Sequence, residues 1–148
     1  MSTSHKIVCP HCQALNRVPV ARPAAEAKCG ACHQALFAGT PTDVDEAGFA
    51  RHVAANEIPV LVDVWAPWCG PCRSMAPQFA RAAATLEPDM RLLKLNADTA
   101  QATVGKFGVQ GIPALLLLRG GQLVARTAGA MDAGRITAWA RDAAKTQV

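Results

Sequence analysis

Six cysteines fall in three C-x-x-C pairs, Cys9 with Cys12, Cys29 with Cys32, and Cys69 with Cys72. Pairs at this spacing support two chemistries. Four thiolates can hold a metal ion, and a single dithiol can open and close a disulfide. Cys9-Pro-His-Cys12 and Cys29-Gly-Ala-Cys32 are separated by sixteen residues, a spacing that reads as a four-cysteine zinc site. Gly30 is expected to give its turn the freedom to aim N–H groups at sulfur, with Pro10 stiffening the other turn. The alternative for these pairs is two redox disulfides or loose thiols. His11 and His33 flank the pairs, and a histidine there is more often solvent-facing than a ligand.

The third pair has different surroundings. Cys69 follows an apolar run and opens an amphipathic segment, and a helix N-terminus lowers a thiol pKa through its unpaired N–H groups and dipole. Pro71, lacking an N–H, fits the first helical turn. Cys72 lies one turn further in, close enough to form a disulfide with Cys69.

Those residues need elements to position them. The first 37 residues show little sustained periodicity, and the Gly/Thr/Pro stretch near Ala38 to Thr42 reads as a boundary between units 1–38 and 39–148. An N-terminal unit of that size would need metal to fold. Beyond it, Asp43 and Glu46 predict a capping box for a helix burying Phe49, Val53 and Ala54. The run 59–66 and the runs 91–97 and 114–118 predict buried strands. Cys72, Met75, Ala76, Phe79, Ala83 and Leu86 predict one buried helix face, kinked by Pro77. A short helix is expected over 101–107. Gly120 and Gly121 predict a hairpin turn, and Asp132 a cap for a helix burying Ile136, Trp139, Ala140 and Ala143. The order α, then β-α-β-α-β-β-α, predicts an α/β fold: a central mixed sheet flanked by helices.

Composition narrows the function. The chain is 51% hydrophobic and 18% charged, which excludes a disordered chain. Its net charge of +4 is spread out, which argues against a nucleic-acid partner. The longest apolar run, Ile112 to Leu118, is far short of the ~20 residues that span a bilayer. The opening segment offers no signal-peptide core, so a reducing cytoplasm is the expected compartment, where cysteine pairs favour metal or catalysis.

The strings VDVWA, WAPWCGPCR, GIPALLLLRGG and AGA resemble thioredoxin, over roughly residues 43–148. CPHCQALNRVP and AKCGACHQALF extend the resemblance to the zinc-containing bacterial thioredoxin-2 type. It implies a thioredoxin fold carrying a small zinc-ribbon-like N-terminal domain. It also implies a protein-disulfide reductase with Cys69 attacking and Cys72 resolving. One Zn²⁺ on Cys9, Cys12, Cys29 and Cys32 is implied, with no organic cofactor.

Asp63, by itself either an exposed strand residue or a buried one, becomes by this resemblance a buried carboxylate beneath Cys72, acting as proton acceptor. Lys94 becomes the lysine that tunes it. Sequence alone makes the Ile112–Pro113 bond trans; the resemblance implies cis, with Pro113 facing the cysteines and shielding Cys69 from metals and stray thiols. Trp68, Gly70, Pro71, Ile112, Gly129 and Ala130 would form the substrate-contact surface, while Trp65 and Trp139 belong to the core. Implied partners are disulfide-bearing proteins and an NADPH-dependent thioredoxin reductase, with a monomeric chain and no nucleic acid or membrane. Gly70-Pro71 lacks the histidine usual in oxidases and isomerases of this fold. Rival readings are a zinc-ribbon interaction module switched by the redox domain, a holdase, and a zinc centre that senses oxidant by losing its metal.

Overall fold

Among the described residues, five strands form the sheet that carries the third cysteine pair, in the order β3 (Thr42–Val44), β5 (Arg91–Asn96), β4 (Val60–Trp65), β6 (Ala114–Arg119) and β7 (Gln122–Ala128). The structure, a computed structural model, describes residues 3–145. β4 (Val60–Trp65) and β5 (Arg91–Asn96) are the central parallel pair, and β6 (Ala114–Arg119) runs antiparallel on the other side of β4. β4 is almost entirely buried and β6 is buried up to its last residue. Near-continuous Val/Leu runs are what strands covered on both faces require.

α2 (Gly70–Leu86) and α4 (Ala133–Lys145) cover one face, where Leu61, Leu115 and Leu117 meet Met75, Phe79, Leu86, Ile136 and Ala140. The helices α1 (Glu46–Ala55) and α3 (Gln101–Lys106) cover the other through Phe49, Val53, Val104 and the following Phe107. β7 (Gln122–Ala128) closes the sheet through the Gly120-Gly121 turn, where both glycines have positive φ. Pro77 lies within α2, yet the helix runs unbroken to Leu86.

Three details differ from expectation. Asp43 lies in a short edge strand, β3 (Thr42–Val44), paired parallel to β5, and the helix cap is Asp45, whose Oδ1 accepts from Gly48 N at 2.7 Å. Glu46 turns away to accept from Thr103 N and Oγ1 at 2.9 and 2.8 Å. Ala54 is exposed, and the buried partner of Phe49 and Val53 on α1 is His52. A three-residue strand gives no period to read, so the sequence pattern puts the cap two residues early.

The aperiodic N-terminus also contains a hairpin, β1 (Ser4–Val8) against β2 (Leu15–Pro19). Ile7, Val18, Leu36 and Phe37 bury a small core with Cys9 and Cys29, and Ile58 from the loop after α1 completes it. The outer edge of β1 is bound to that loop: Lys6 N donates to Glu57 Oε1 at 2.6 Å, Glu57 N to Lys6 O at 2.9 Å, and Val8 N to Asn56 Oδ1 at 2.8 Å. Arg91 adds two bonds, to Val8 O at 3.2 Å and Leu36 O at 2.8 Å. The N-terminal unit therefore sits at the start of β5, while Cys69 follows the far end of β4, where Trp65 pairs with Asn96. Six residues of strand put about 17 Å between those ends.

Candidate functional site: a dithiol and a four-thiol cluster

Cys69 is the N-cap of α2, with extended backbone, and its Sγ accepts from Cys72 N at 3.2 Å. Pro71 occupies the first turn as its missing donor allows. Cys69 and Cys72 are joined in a disulfide with Cα atoms 5.2 Å apart. Both are buried against Ala66, Trp65 and Ile112, so the pair lies under a mostly apolar rim. Ile112–Pro113 is cis, and the Ile112 carbonyl oxygen lies 3.8 Å from Cys69 Sγ. Glu87–Pro88 is cis as well, which nothing in its sequence signals.

Gly129 N donates to Pro113 O at 2.8 Å, with Gly129 at φ 107, fastening the end of β7 to the cis-proline loop. Ala130 follows it and is exposed, as Pro71 is, while Gly70 is half-buried. Trp68 stands out from the rim at 67% exposure. Its Nε1 donates to both carboxylate oxygens of Asp98 at 3.1 Å. Asp98 belongs to this site although sequence reasoning passed over it. It lies in a short turn after β5, and only the strand order brings that turn beside Trp68.

Asp63 is fully buried, and neither of its oxygens has a hydrogen-bond partner among the described residues. It shares the β4 face of Leu61, which packs on Met75 and Phe79 of α2, so the carboxyl lies beneath the helix that Cys69 opens. Burial pushes its pKa up to about 7, against the opposing pull of Lys94. Lys94 pairs with Asp63 across the β4–β5 ladder, and its Nζ rests 4.8 Å from the centre of the Trp65 ring. A neutral-range carboxyl beneath a dithiol can take up and return a proton. Trp65 is half-buried and belongs to the rim as much as to the core, whereas half-buried Trp139 packs on the α2–α4 core.

The other four cysteines form a separate cluster whose sulfurs all lie within 4.8 Å of one another. Cys9 to Cys32 and Cys12 to Cys29 are each 3.6 Å apart, Sγ to Sγ. Metal–sulfur bonds of ~2.3 Å in a tetrahedron put sulfurs roughly 3.8 Å apart, so the donor set fits a single zinc-sized ion. The two turns repeat one another. Cys9 N and Cys29 N donate to Ala14 O and Gln34 O at 2.9 Å, and Gln13 N and His33 N donate to Cys9 O and Cys29 O at 3.0 and 2.9 Å. His11 N and Ala31 N each reach the first sulfur of their pair at 3.3 Å.

Gln13 and His33, at φ 64 and 66, carry the left-handed backbone that closes each turn. Gly30 does not: its φ is not positive, and a Cβ there would meet only Asn16 Oδ1 at 3.8 Å. The backbone freedom assigned to Gly30 is thus used one residue past each pair instead. Asn16 is a further residue the sequence did not single out, donating from Nδ2 to Cys29 Sγ at 3.5 Å and accepting from Gly30 N at 2.9 Å. The Cys32 backbone N–H, then Asn16, hold the Cys29 thiol down at about 5. Against the pull of the Ala14 backbone, desolvation and the neighbouring sulfurs push Cys12 up to about 12. Four sulfurs this close repel one another as thiolates, and a dication removes that conflict.

Comparison with known proteins covers both regions of the chain. Residues 40–142 match the thioredoxin family model, and residues 8–34 match the model described as thioredoxin 2, N-terminal. Thioredoxin C-3 of Corynebacterium nephridii is 38% identical over 133 residues, covering 90% of this chain and 91% of that protein. The thioredoxin of Haemophilus influenzae is 43% identical over 88 residues, 60% of this chain and 82% of that one. A solved mutant thioredoxin from Halobacterium salinarum superposes with TM-score 0.64 at 27% identity, covering 72% of this chain and 92% of that one. The dithiol at the head of α2 and the four-thiol cluster before the sheet lie within these two matched stretches, and the chain belongs to the thioredoxin family, with the N-terminal zinc-ribbon module of the thioredoxin-2 type.

Proposed function

We propose that this thioredoxin reduces disulfides of protein substrates through Cys69 and Cys72. The observation that supports this best is Cys69 at the head of α2, its sulfur over the Cys72 N–H and beside the Ile112 carbonyl. Reduced Cys69 attacks one substrate sulfur as a thiolate, forming a mixed disulfide and expelling the other substrate sulfur, which takes up a proton. Asp63 accepts the Cys72 proton. Cys72 then attacks Cys69 Sγ, closing the protein's own disulfide and releasing the substrate as a dithiol. An NADPH-dependent reductase returns two electrons to the oxidised pair. Lys94 holds the Asp63 titration near neutrality, and Pro113 keeps metals and stray thiols off Cys69. The Ile112 backbone pairs with an extended substrate chain, a form of strand addition. Trp68, Gly70, Pro71, Gly129 and Ala130 supply the rest of the contact surface.

The N-terminal unit, residues 1–38, holds one Zn²⁺ on Cys9, Cys12, Cys29 and Cys32, and the thioredoxin unit spans 39–148. Bound zinc would supply folding energy to a module with a small core. Both the thiolate cluster and the reducing dithiol suit a reducing compartment such as the cytoplasm, with the chain acting as a monomer. The test is reduction of a protein disulfide by NADPH and a thioredoxin reductase, followed at 340 nm with catalytic amounts of this protein. Turnover that vanishes in the Cys69→Ser, Cys72→Ser double variant supports the reading. Effects that persist in that variant would point to a holdase or interaction module.

A further inference from the structure

A cleft of about 230 Å³ opens beside the contact surface, with Gly108, Gln110, Gly111, Arg126, Thr127 and Ala128 among its walls. It adjoins that surface on both sides. Gly111 runs into Ile112 and Ala128 into Gly129, and the Gly129–Pro113 hydrogen bond joins the two at 2.8 Å. Among the described residues, Arg126 is the only charged one lining the cleft. It is exposed and forms no ion pair with a carboxylate among the described residues.

Its position is fixed by the local chain. Arg126 Nη1 donates to the Phe107 carbonyl at 2.7 Å, and Gly108 follows at φ +65, where a Cβ would come within 2.6 Å of that same Nη1. Glycine at 108 therefore makes room for the guanidinium as well as the turn. A guanidinium presents five N–H donors in a planar fork, so donors remain for a carboxylate. An extended chain lying along Ile112 sends alternate side chains to opposite sides at a rise of ~3.3 Å per residue. Gly111, the neighbour of Ile112, lines this cleft together with Arg126.

We propose that Arg126 and its cleft form an anion-accepting subsite that selects disulfide substrates carrying an acidic side chain within a few residues of the attacked cysteine. This rests on the reading of the Ile112–Gly129 rim as the substrate surface. Arg126 acts on specificity and takes no part in the thiol chemistry.

The experiment uses the full-length reduced protein and a set of short disulfide-bonded peptides. The peptides differ only in placing Glu, Gln or Lys at each of the positions flanking one cysteine. The expected result is a second-order rate constant about three- to fivefold higher for Glu than for Gln at one or two positions at low salt. That preference should shrink as salt is added. It should fall to unity in Arg126→Gln and turn toward Lys in Arg126→Glu. Each ratio is taken within one protein preparation, so partial misfolding of a variant cancels. Equal rates at every position, or a Glu preference that survives Arg126→Gln, would overturn the subsite while leaving the reductase reading intact. No reduction of any peptide would overturn the reductase reading and the subsite with it.

Discussion

Arg91 and Glu87 form an ion pair inside the protein, Nη1 to Oε2 at 3.3 Å, with each side chain only 1% exposed. Burial pushes Glu87 up and Arg91 down in spite of their mutual attraction, so desolvation outweighs the pairing itself. The geometry shows what the pair achieves. The Arg91 guanidinium reaches the Val8 and Leu36 carbonyls and lies 4.3 Å from the centre of the Phe37 ring, while Glu87 Oε2 also accepts from Leu92 N at 3.3 Å. Arg91 thus clamps the N-terminal unit to the first residue of β5. Arg91→Leu leaves Glu87 buried without its partner and two carbonyls without a donor, a loss of about 3–5 kcal/mol. The expected outcome is a lower denaturation midpoint and faster proteolysis of residues 1–38, with unchanged midpoints as the contrary result.

Asp63 makes folding depend on pH in the direction opposite to an ordinary salt-bridged carboxylate. Its folded pKa of about 7 lies well above the ~3.9 of an ordinary aspartate. The unfolded chain therefore releases this proton first, and stability is fully present below pH ~4 and lost as pH rises through 7. Asp63→Asn removes that loss, adding about 4 kcal/mol at pH 8 and progressively less toward pH 4. Urea midpoints of both proteins across this range check it. The same substitution should slow resolution of the mixed disulfide.

His52 works in the reverse sense. Its Nδ1 lies 2.9 Å from Asn56 Nδ2, which assigns that nitrogen as the acceptor, and Asn56 Oδ1 takes the Val8 N–H. Burial first, then Arg91 and Arg51, hold His52 down at about 4. An unfolded histidine titrates near 6.5. Between those values the unfolded chain binds more protons, so stability falls as pH drops through the window, by roughly 3 kcal/mol. His52→Gln should flatten the slope of stability against pH between 6.5 and 4, and an unaltered slope would contradict this account.

The two sulfurs of the dithiol should separate cleanly by substitution. Cys69→Ser abolishes the first attack, lowering disulfide reduction by more than about a thousandfold. Cys72→Ser leaves the first attack and removes the second, so a covalent complex with a disulfide substrate accumulates. Non-reducing electrophoresis and intact mass should show that complex for Cys72→Ser and not for Cys69→Ser.

Much of the fold was legible because it rests on local patterns. The Val-rich run before Cys69 became β4, and the three- and four-residue steps from Cys72 to Leu86 became the buried face of α2. The hairpin β1–β2 was not, because its turn is a cysteine knuckle rather than a Gly or Asn turn, and its apolar residues share their core with thiols. Arg91 begins a strand, and its carbonyl partners come from 83 and 55 residues away, where no local pattern reaches. Asn16, Asn56 and Asp98 were invisible for the same reason. Each acts through a contact that only the assembled sheet and the cysteine turns create. Asp63 and the cis bond before Pro113 came from family resemblance, since an isolated strand aspartate or X-Pro pair does not report its surroundings.

In the proposed function, three cysteine pairs of identical spacing serve two chemistries, four sulfurs for metal and two for exchange. The decisive measurement is a count of zinc and of fast-reacting thiols on the reduced, native protein. One zinc per chain and two fast thiols are expected, both thiols lost when Cys69 and Cys72 are replaced while the zinc remains. No zinc and six reactive thiols would contradict that function and make all three pairs redox sites.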